Sequence, residues 1–337
     1  MVKENSKKKD LLWYFVIVIL ALIPFIPQVA ANSFTQHVFI LVLLYASMSQ
    51  AWNIIGGYCG QVSFGHSVFF GIGAYGAGMA VVKYGLAPWP GIIIGSLLSM
   101  IVAVVISYPC FKLKGHYFAI ATFAIVEIFN RLFMVWYWLN GALGLDYPMM
   151  KVGWKNFVWY RTKIPYYYGA LILFVVIFSI VRFIEKNRFG YYLKAVREDQ
   201  ETAEATGINS TFIKLSAMAL SAFLASFCGA FFVQYNFRVD PPMVMSLQVS
   251  MIFVLVTILG GAGTLFGPLL GAMILIPLQE YTRVYWGGLG RGTDLILFGF
   301  LIVLIIVRQP RGIMGIINEI LKYRKTKKII SASSEIN

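Results

Sequence analysis

The chain has 337 residues, of which 59% are hydrophobic and only 12% are charged. Soluble domains carry roughly 25% charged residues, so this composition excludes a large soluble domain and indicates a polytopic membrane protein. The formal charge is +14, from 28 Lys and Arg against 14 Asp and Glu. Most of these cations flank apolar segments, which is the placement that sets membrane topology and not the pattern of a nucleic-acid-binding surface.

A transmembrane helix needs about 20 apolar residues, and apolar runs bounded by Gly, Pro or charge divide this chain into ten such segments. They lie at residues 11–29, 34–55, 62–82, 90–111, 117–139, 165–184, 212–234, 247–260, 265–281 and 294–308. The eighth and ninth are short, so one of them is a candidate for a re-entrant or broken segment. The first is interpreted as a span and not as a cleaved signal, because Pro24 and Pro27 interrupt it and no cleavage site follows. The predicted fold class is an all-α polytopic membrane protein with about ten transmembrane helices.

The distribution of cations predicts the orientation. Threading the ten segments from an internal N-terminus places 19 Lys and Arg inside and 8 outside, which satisfies the positive-inside rule. We therefore expect residues 1–10 to be a cytoplasmic segment, residues 11–309 to be the transmembrane domain and residues 310–337 to be a cytoplasmic tail. The one long polar connection, residues 185–211, falls on the same side as both termini.

Two glycine-rich strings interrupt the apolar segments. Residues 56–66 read GGYCGQVSFGH and residues 260–268 read GGAGTLFGP, and both contain Gly-Gly, then Gly, then Phe-Gly. Such an echo is typical of internal repeats and discontinuous helices in transporters. The alternative is that the small residues of these segments let helices approach closely. The predicted breaks lie at eight glycines: Gly56, Gly57, Gly60, Gly65, Gly260, Gly261, Gly263 and Gly267. Neither string is a P-loop, so we do not expect the chain to hydrolyse ATP or to hold a cofactor.

Polar residues within apolar segments are candidates for a translocation pathway. The predicted pathway residues are Asn53, Gln61, His66 and Glu127. Glu127 and Arg131 are four residues apart, so their opposite charges share one helical face. The alternative is a structural pair in which Arg131 reaches the outer interface. No catalytic triad, paired-carboxylate site or metal-ligand spacing is present in the sequence, so neither catalytic residues nor a metal site is predicted.

The polar connection contains a short helix with recognisable ends. Asp199 is a good helix cap, Glu201 places a negative charge in the first turn, and Gly207 can end the helix in a left-handed conformation. Such a helix can dock in a groove of a partner, and the alternative is a solvated connection between two spans.

Residues 204–207 (EATG) resemble the coupling loop of ATP-binding-cassette importer permeases. Five strings in order resemble the larger permease subunit of branched-chain amino acid import systems: residues 57–66, 114–122 (KGHYFAIAT), 197–199 (RED), 260–268 and 308–312 (RQPRG). Two positions depart from that pattern. Thr206 stands where a small apolar residue is usual, and residues 140–145 (NGALGL) replace a Thr-Gly-Gly-rich stretch, which weakens the substrate assignment more than the transporter assignment.

This resemblance implies a bacterial cytoplasmic-membrane permease that pairs with a second homologous permease, two ATPase subunits and an extracytoplasmic solute-binding protein. ATP would be used only by the partners. The implied coupling-loop residues are Arg197, Glu198, Asp199, Ala203, Glu204, Ala205 and Gly207. The alternatives are an importer for urea or short amides and, from another class, a channel or ion-coupled transporter that works alone.

Overall fold

The computed structural model describes residues 13, 15–113, 115–286, 299–300, 303, 312–316 and 319. The predicted N-terminal segment 1–10, most of the tenth predicted span and most of the predicted tail lie outside the described residues.

The described chain is almost entirely helical. Its helices are α1 (Phe15–Phe25), α2 (Pro27–Ala31), α3 (Ser33–Asn53), α4 (His66–Val82), α5 (Pro88–Cys110), α6 (His116–Val135), α7 (Ile164–Lys186), α8 (Arg188–Glu198), α9 (Gln200–Ala205), α10 (Ser210–Asn236), α11 (Pro241–Val244), α12 (Leu247–Gly260) and α13 (Gly267–Trp286). Two short strands, β1 (Leu145–Asp146) and β2 (Arg238–Val239), pair antiparallel. The predicted all-α fold class is confirmed.

Six helical segments within the described residues are long and apolar enough to cross a membrane. They are Ser33–Tyr58, Pro88–Cys110, His116–Val135, Ile164–Lys186, Ser210–Asn236 and Pro241–Gly260. The eighth predicted segment was expected to be short, but α11 and α12 together form a helical stretch of 20 residues. The ninth predicted segment corresponds to α13, which also has 20 residues. The count of ten spans stays a prediction.

Side-chain caps and prolines explain where the long helices begin. The Asn32 side chain accepts hydrogen bonds from the backbone N–H groups of Phe34 and Thr35 at the start of α3. Asn209 caps α10 in the same way, and Pro residues occupy the first turns of α5 and α7. These residues satisfy or remove N–H groups that have no partner inside the helix.

Close contact between α4 and α10 forms the centre of the bundle. A Cβ atom on Gly229 of α10 would lie 1.8 Å from the Phe70 carbonyl oxygen, and one on Gly73 of α4 would lie 2.0 Å from that of Ser226. Only glycine therefore permits this approach, as the close-packing interpretation of small residues predicts. By contrast, α5 and α6 expose many large apolar side chains at the outside of the bundle.

The connection between α6 and α7 covers the end of the bundle where α10 finishes. Leu145 of β1 pairs with Val239 of β2, which ties this connection to the segment after α10. Phe157 packs its ring edge-to-face against Tyr166 of α7 and Phe231 of α10. The connection is thus fixed to α7 and α10 on the side where the sequence predicts the cell exterior.

Candidate functional site

The first glycine string interrupts the path between α3 and α4. After Asn53 the helix continues as a π-helical turn over Ile54–Tyr58, and α4 begins only at His66. Gly60 adopts a positive φ of +74°, a conformation that disfavours residues with a Cβ atom. The chain therefore leaves helical geometry within the string that the sequence singles out.

The second glycine string separates α12 from α13. Helix α12 ends at Gly260, and the next residues adopt φ values of +119° at Gly261 and +75° at Gly263 before α13 starts at Gly267. Thr264 Oγ1 donates a hydrogen bond to the Gly261 carbonyl and accepts one from the Gly267 N–H, which stabilises the turn.

The two glycine strings contact each other through a buried asparagine. Asn53 is fully buried, its Nδ2 donates to the Thr264 carbonyl at 2.9 Å and its Oδ1 accepts from the Gly263 N–H at 2.8 Å. A Cβ atom on Gly57 would lie 2.4 Å from the Gly263 nitrogen. We call Asn53, Gly57, Gly60, Gly263 and Thr264 the glycine junction. It joins segments about 210 residues apart in the chain, as the bonds of Asn53 show.

Arg197, at the end of α8, reaches into the glycine junction. Its Nη1 donates to the Gly57 carbonyl oxygen at 2.7 Å. A Cβ atom on Gly263 would lie 2.3 Å from the same nitrogen, and one on Gly60 would lie 2.9 Å from Arg197 Cγ. The absence of side chains at these glycines therefore makes room for the guanidinium group. Hydrogen bonds from a charged donor are stronger than neutral ones, so Arg197 is a firm link between the polar connection and both breaks.

The predicted capped helix in the polar connection is present as α9. Asp199 Oδ1 accepts from the Thr202 N–H at 2.6 Å, and this backbone hydrogen bond, with a further bond from the Thr202 side chain, lowers the pKa of the Asp199 carboxyl. Gly207 follows the helix with φ +87° and has nothing near its missing Cβ atom. Ala203 is the buried residue of α9 and holds it against the bundle, while Ala205 is exposed.

Glu204 and Gln200 attach α9 to the start of α10. Glu204 Oε1 accepts hydrogen bonds from Gln200 Nε2 at 2.9 Å and from the Ser210 hydroxyl. Gln200 Oε1 in turn accepts from Lys214 Nζ at 2.6 Å. These bonds attach α9 directly to α10, the central helix of the bundle.

Three of the four predicted pathway residues belong to α3, α4 or the glycine string between them. Asn53 belongs to the glycine junction, and Gln61 lies partly buried just beyond it. His66 is fully buried and its Nε2 is 2.8 Å from the Ser221 hydroxyl, which donates to the Ala51 carbonyl. These contacts make His66 a link between α3, α4 and α10.

Glu127 is separate from this group. It forms the expected ion pair with Arg131 at 2.7 Å. The side chains of Glu127 and Arg131 are 57% and 74% exposed, respectively, on the face of α6 that points away from the bundle. The structure therefore does not bring Glu127 together with Asn53, Gln61 and His66. Among the described residues no cluster of three or more His, Cys, Asp or Glu side chains is arranged to hold a metal ion.

Sequence reasoning missed three contacts of this site. It singled out Asn53 and Arg197 separately, but nothing in their spacing indicates that both reach the glycine strings. Thr264 was noted only as part of the second glycine string, and Ser221 was not singled out because isolated hydroxyl residues are common in apolar helices. The only available signal was the similarity of the two strings, since related halves of a repeat often pack against each other.

Comparison with known proteins finds similarity to permeases of branched-chain amino acid transport. The family model described as "Branched-chain amino acid transport system / permease component" matches residues 34–306. The chain is 26% identical over 306 residues to the high-affinity branched-chain amino acid transport system permease protein LivM of Salmonella typhimurium, covering 84% of this chain and 71% of that protein. It is also 26% identical over 245 residues to the probable branched-chain amino acid transport permease protein LivM of Methanocaldococcus jannaschii, covering 66% and 67% of the two chains.

A shorter match links the chain to a second kind of permease. It is 25% identical over 145 residues to the permease protein LivH of Salmonella typhimurium, covering 43% of this chain and 46% of that protein. No solved structure matches the chain. Because the family model spans most of the sequence and both glycine strings, this chain belongs to the family of branched-chain amino acid transport system permease components.

Proposed function

We propose that this chain is the membrane-spanning permease subunit of an ATP-binding-cassette importer for branched-chain amino acids. Its relatives are named as permeases of high-affinity branched-chain amino acid transport, and its helices suit a multi-pass membrane protein. The chain itself moves the substrate, and ATP is hydrolysed by separate subunits. Both termini and the connection that contains α8 and α9 face the cytoplasm, as the charge distribution predicts.

The observation that carries this proposal is the contact between the α8–α9 connection and the glycine junction. A compact helix with an exposed Ala205 is suited to dock in a partner, and Arg197 joins the same connection to both breaks. Movement of a docked ATPase then changes the positions of α3, α12 and α13 together. A transporter that works alone has no need of such a docking element.

The remaining partners follow from the same architecture. A second, homologous permease packs against this one, in agreement with the partial similarity to LivH and with the exposed apolar faces of α5 and α6. Two ATPase subunits bind the cytoplasmic faces of the pair, and a solute-binding protein delivers the amino acid from outside. ATP binding closes the ATPase dimer, and the two permeases alternate between outward-open and inward-open states.

Substrate identity is tested by competition. The complete importer, with both permeases, the ATPases and the binding protein, is reconstituted in proteoliposomes and supplied with labelled leucine. We expect uptake that unlabelled valine suppresses and urea does not. Uptake of urea in place of leucine would retain the architecture but contradict the proposed substrate.

Coupling is tested at the exposed side of α9. Replacing Ala205 by Asp adds a charge at the proposed docking face without altering the buried Ala203 contact. We expect this variant to lose ATPase binding or leucine uptake, whereas Ala205→Ser, which adds only a hydroxyl, retains both. Equal uptake by the Asp and Ser variants would contradict the proposed docking face.

A further inference from the structure

A cavity of about 560 Å³ lies at the end of the bundle opposite to the glycine junction. It is bounded by the start of α3, the segment before α7 and the end of α10. Helix α3 connects the two sites, since Ser33 at its first turn lines the cavity and Asn53 at its last turn belongs to the junction. Its 21 residues, at 1.5 Å each, separate them by about 30 Å, the thickness of a bilayer core.

The cavity combines positive charge with aromatic walls. Arg161 and Lys163 line it, and no Asp or Glu is among the described residues that do so. Lys163 Nζ donates to the Ser33 carbonyl at 3.1 Å, and neither cation forms an ion pair with a described carboxylate. The remaining walls include the aromatic residues Trp159, Tyr166 and Tyr235 and the polar residues Gln36, His37 and Asn236.

Lys163 is partly buried, which makes its charge costlier than in open water. Desolvation lowers the pKa of its ammonium group below the ordinary value of 10.5. A carbonyl oxygen is a weaker partner for an ammonium group than a carboxylate, so an entering anion would relieve this cost.

We propose that this cavity receives an amino acid on the outer side of the membrane, with its carboxylate held by Lys163 and Arg161 and its apolar side chain against the aromatic walls. The volume lies in the range of small-molecule sites, roughly 300 to 1,000 Å³. The aromatic walls suit an apolar side chain better than they suit a small inorganic anion. This inference rests on the proposed amino acid importer, whose substrate must pass from a receptor into the membrane domain.

The site is tested by binding of labelled leucine to the complex of both permeases and the ATPases in nanodiscs, without nucleotide and without the binding protein. Isovalerate, which has the carboxylate and the branched chain, is expected to compete. Leucinol, which lacks the carboxylate, is expected not to compete. Equal competition by leucinol would overturn the proposed role of the cations.

Charge-neutralising variants locate the site. Lys163→Gln combined with Arg161→Gln is expected to weaken leucine binding at least about tenfold, as expected for loss of charge-assisted hydrogen bonds. Lys155→Gln is the matched control, because Lys155 is an exposed lysine of the same connection that does not line the cavity. Unchanged binding in the double variant, or an equal loss in the control, would overturn the proposal.

Two further outcomes separate this inference from the proposed function. If the double variant binds the solute-binding protein more weakly but binds leucine normally, the cavity is a receptor-docking surface and the amino acid site is refuted. If wild-type importer takes up leucine with ATP while the variants bind leucine normally, only the cavity assignment fails. Failure of ATP-dependent leucine uptake by the wild type contradicts the proposed function itself.

Discussion

Removing the Asn53 side chain is expected to uncouple ATP hydrolysis from transport. Asn53→Ala eliminates hydrogen bonds of 2.9 Å to Thr264 and 2.8 Å to Gly263. A neutral hydrogen bond contributes about 0.5–1.5 kcal/mol, so the two together contribute about 1–3 kcal/mol to holding the strings together. As a coupling free energy this corresponds to a change of about fivefold to 150-fold. We therefore expect the number of leucine molecules imported per ATP hydrolysed to fall at least about fivefold.

The measurement compares leucine uptake and ATP hydrolysis in the same proteoliposomes, with thermal unfolding recorded for each variant. Asn53→Asp retains the acceptor for Gly263 but sets a buried carboxylate oxygen against the Thr264 carbonyl, so its loss should be at least as large as that of Asn53→Ala. Asn156→Ala, which removes an exposed loop hydrogen bond to the Lys151 carbonyl, is the matched control and should leave the ratio unchanged. Because Arg197 and Asn53 meet at one junction, Arg197→Ala should add less than its separate effect to Asn53→Ala. An unchanged ratio in Asn53→Ala, or full additivity of the two variants, would refute this reasoning.

Three further predictions concern other parts of the chain. The helix cap at Asp199 contributes stability above the ordinary carboxyl pKa of 3.8 and loses it as the pH falls through its lowered folded value. The protection factors of the α9 amides against hydrogen exchange should therefore fall there, and equally high protection below that value would contradict the cap. Glu127→Gln should leave leucine uptake within about twofold and independent of proton or sodium gradients, because its ion pair with Arg131 takes no part in the glycine junction. Uptake that depends on an ion gradient in the wild type and loses that dependence in the variant would favour the self-sufficient transporter. Gly229→Ala should destabilise the bundle by about 1–3 kcal/mol in thermal unfolding, because its Cβ atom collides with Phe70. Gly299→Ala, which has nothing within 4 Å of its missing Cβ atom, should cost less.

The sequence was most informative where a local signal decides the structure. Residues Asp199 and Gly207 mark the ends of α9 because capping depends on a few neighbouring atoms. Apolar length likewise predicts the long helices, since burial of the backbone in lipid leaves few alternatives. The ion pair of Glu127 with Arg131 follows from helical spacing alone.

The parts that sequence reasoning missed depend on contacts between distant segments. The spacing of Asn53 and Gly263 carries no information about their hydrogen bond, because it arises only when α3 and the α12–α13 turn pack together. Glu127 was expected among the pathway residues because charges in apolar helices often face an interior. Glu127 lies on the exposed face of α6, since helical spacing does not determine which side of a helix packs against the bundle, and its place in the pathway stays a prediction.

We propose that ATP hydrolysed by separate subunits drives transport through this chain. The most direct measurement is uptake of labelled leucine into proteoliposomes that contain this chain with its candidate permease, ATPases and binding protein, with and without ATP on the ATPase side. Liposomes that contain this chain alone provide the comparison. We predict uptake that requires both ATP and the partners and is abolished by excess valine. Leucine transport by the chain alone, without ATP, would contradict the proposed dependence on ATP-hydrolysing partners.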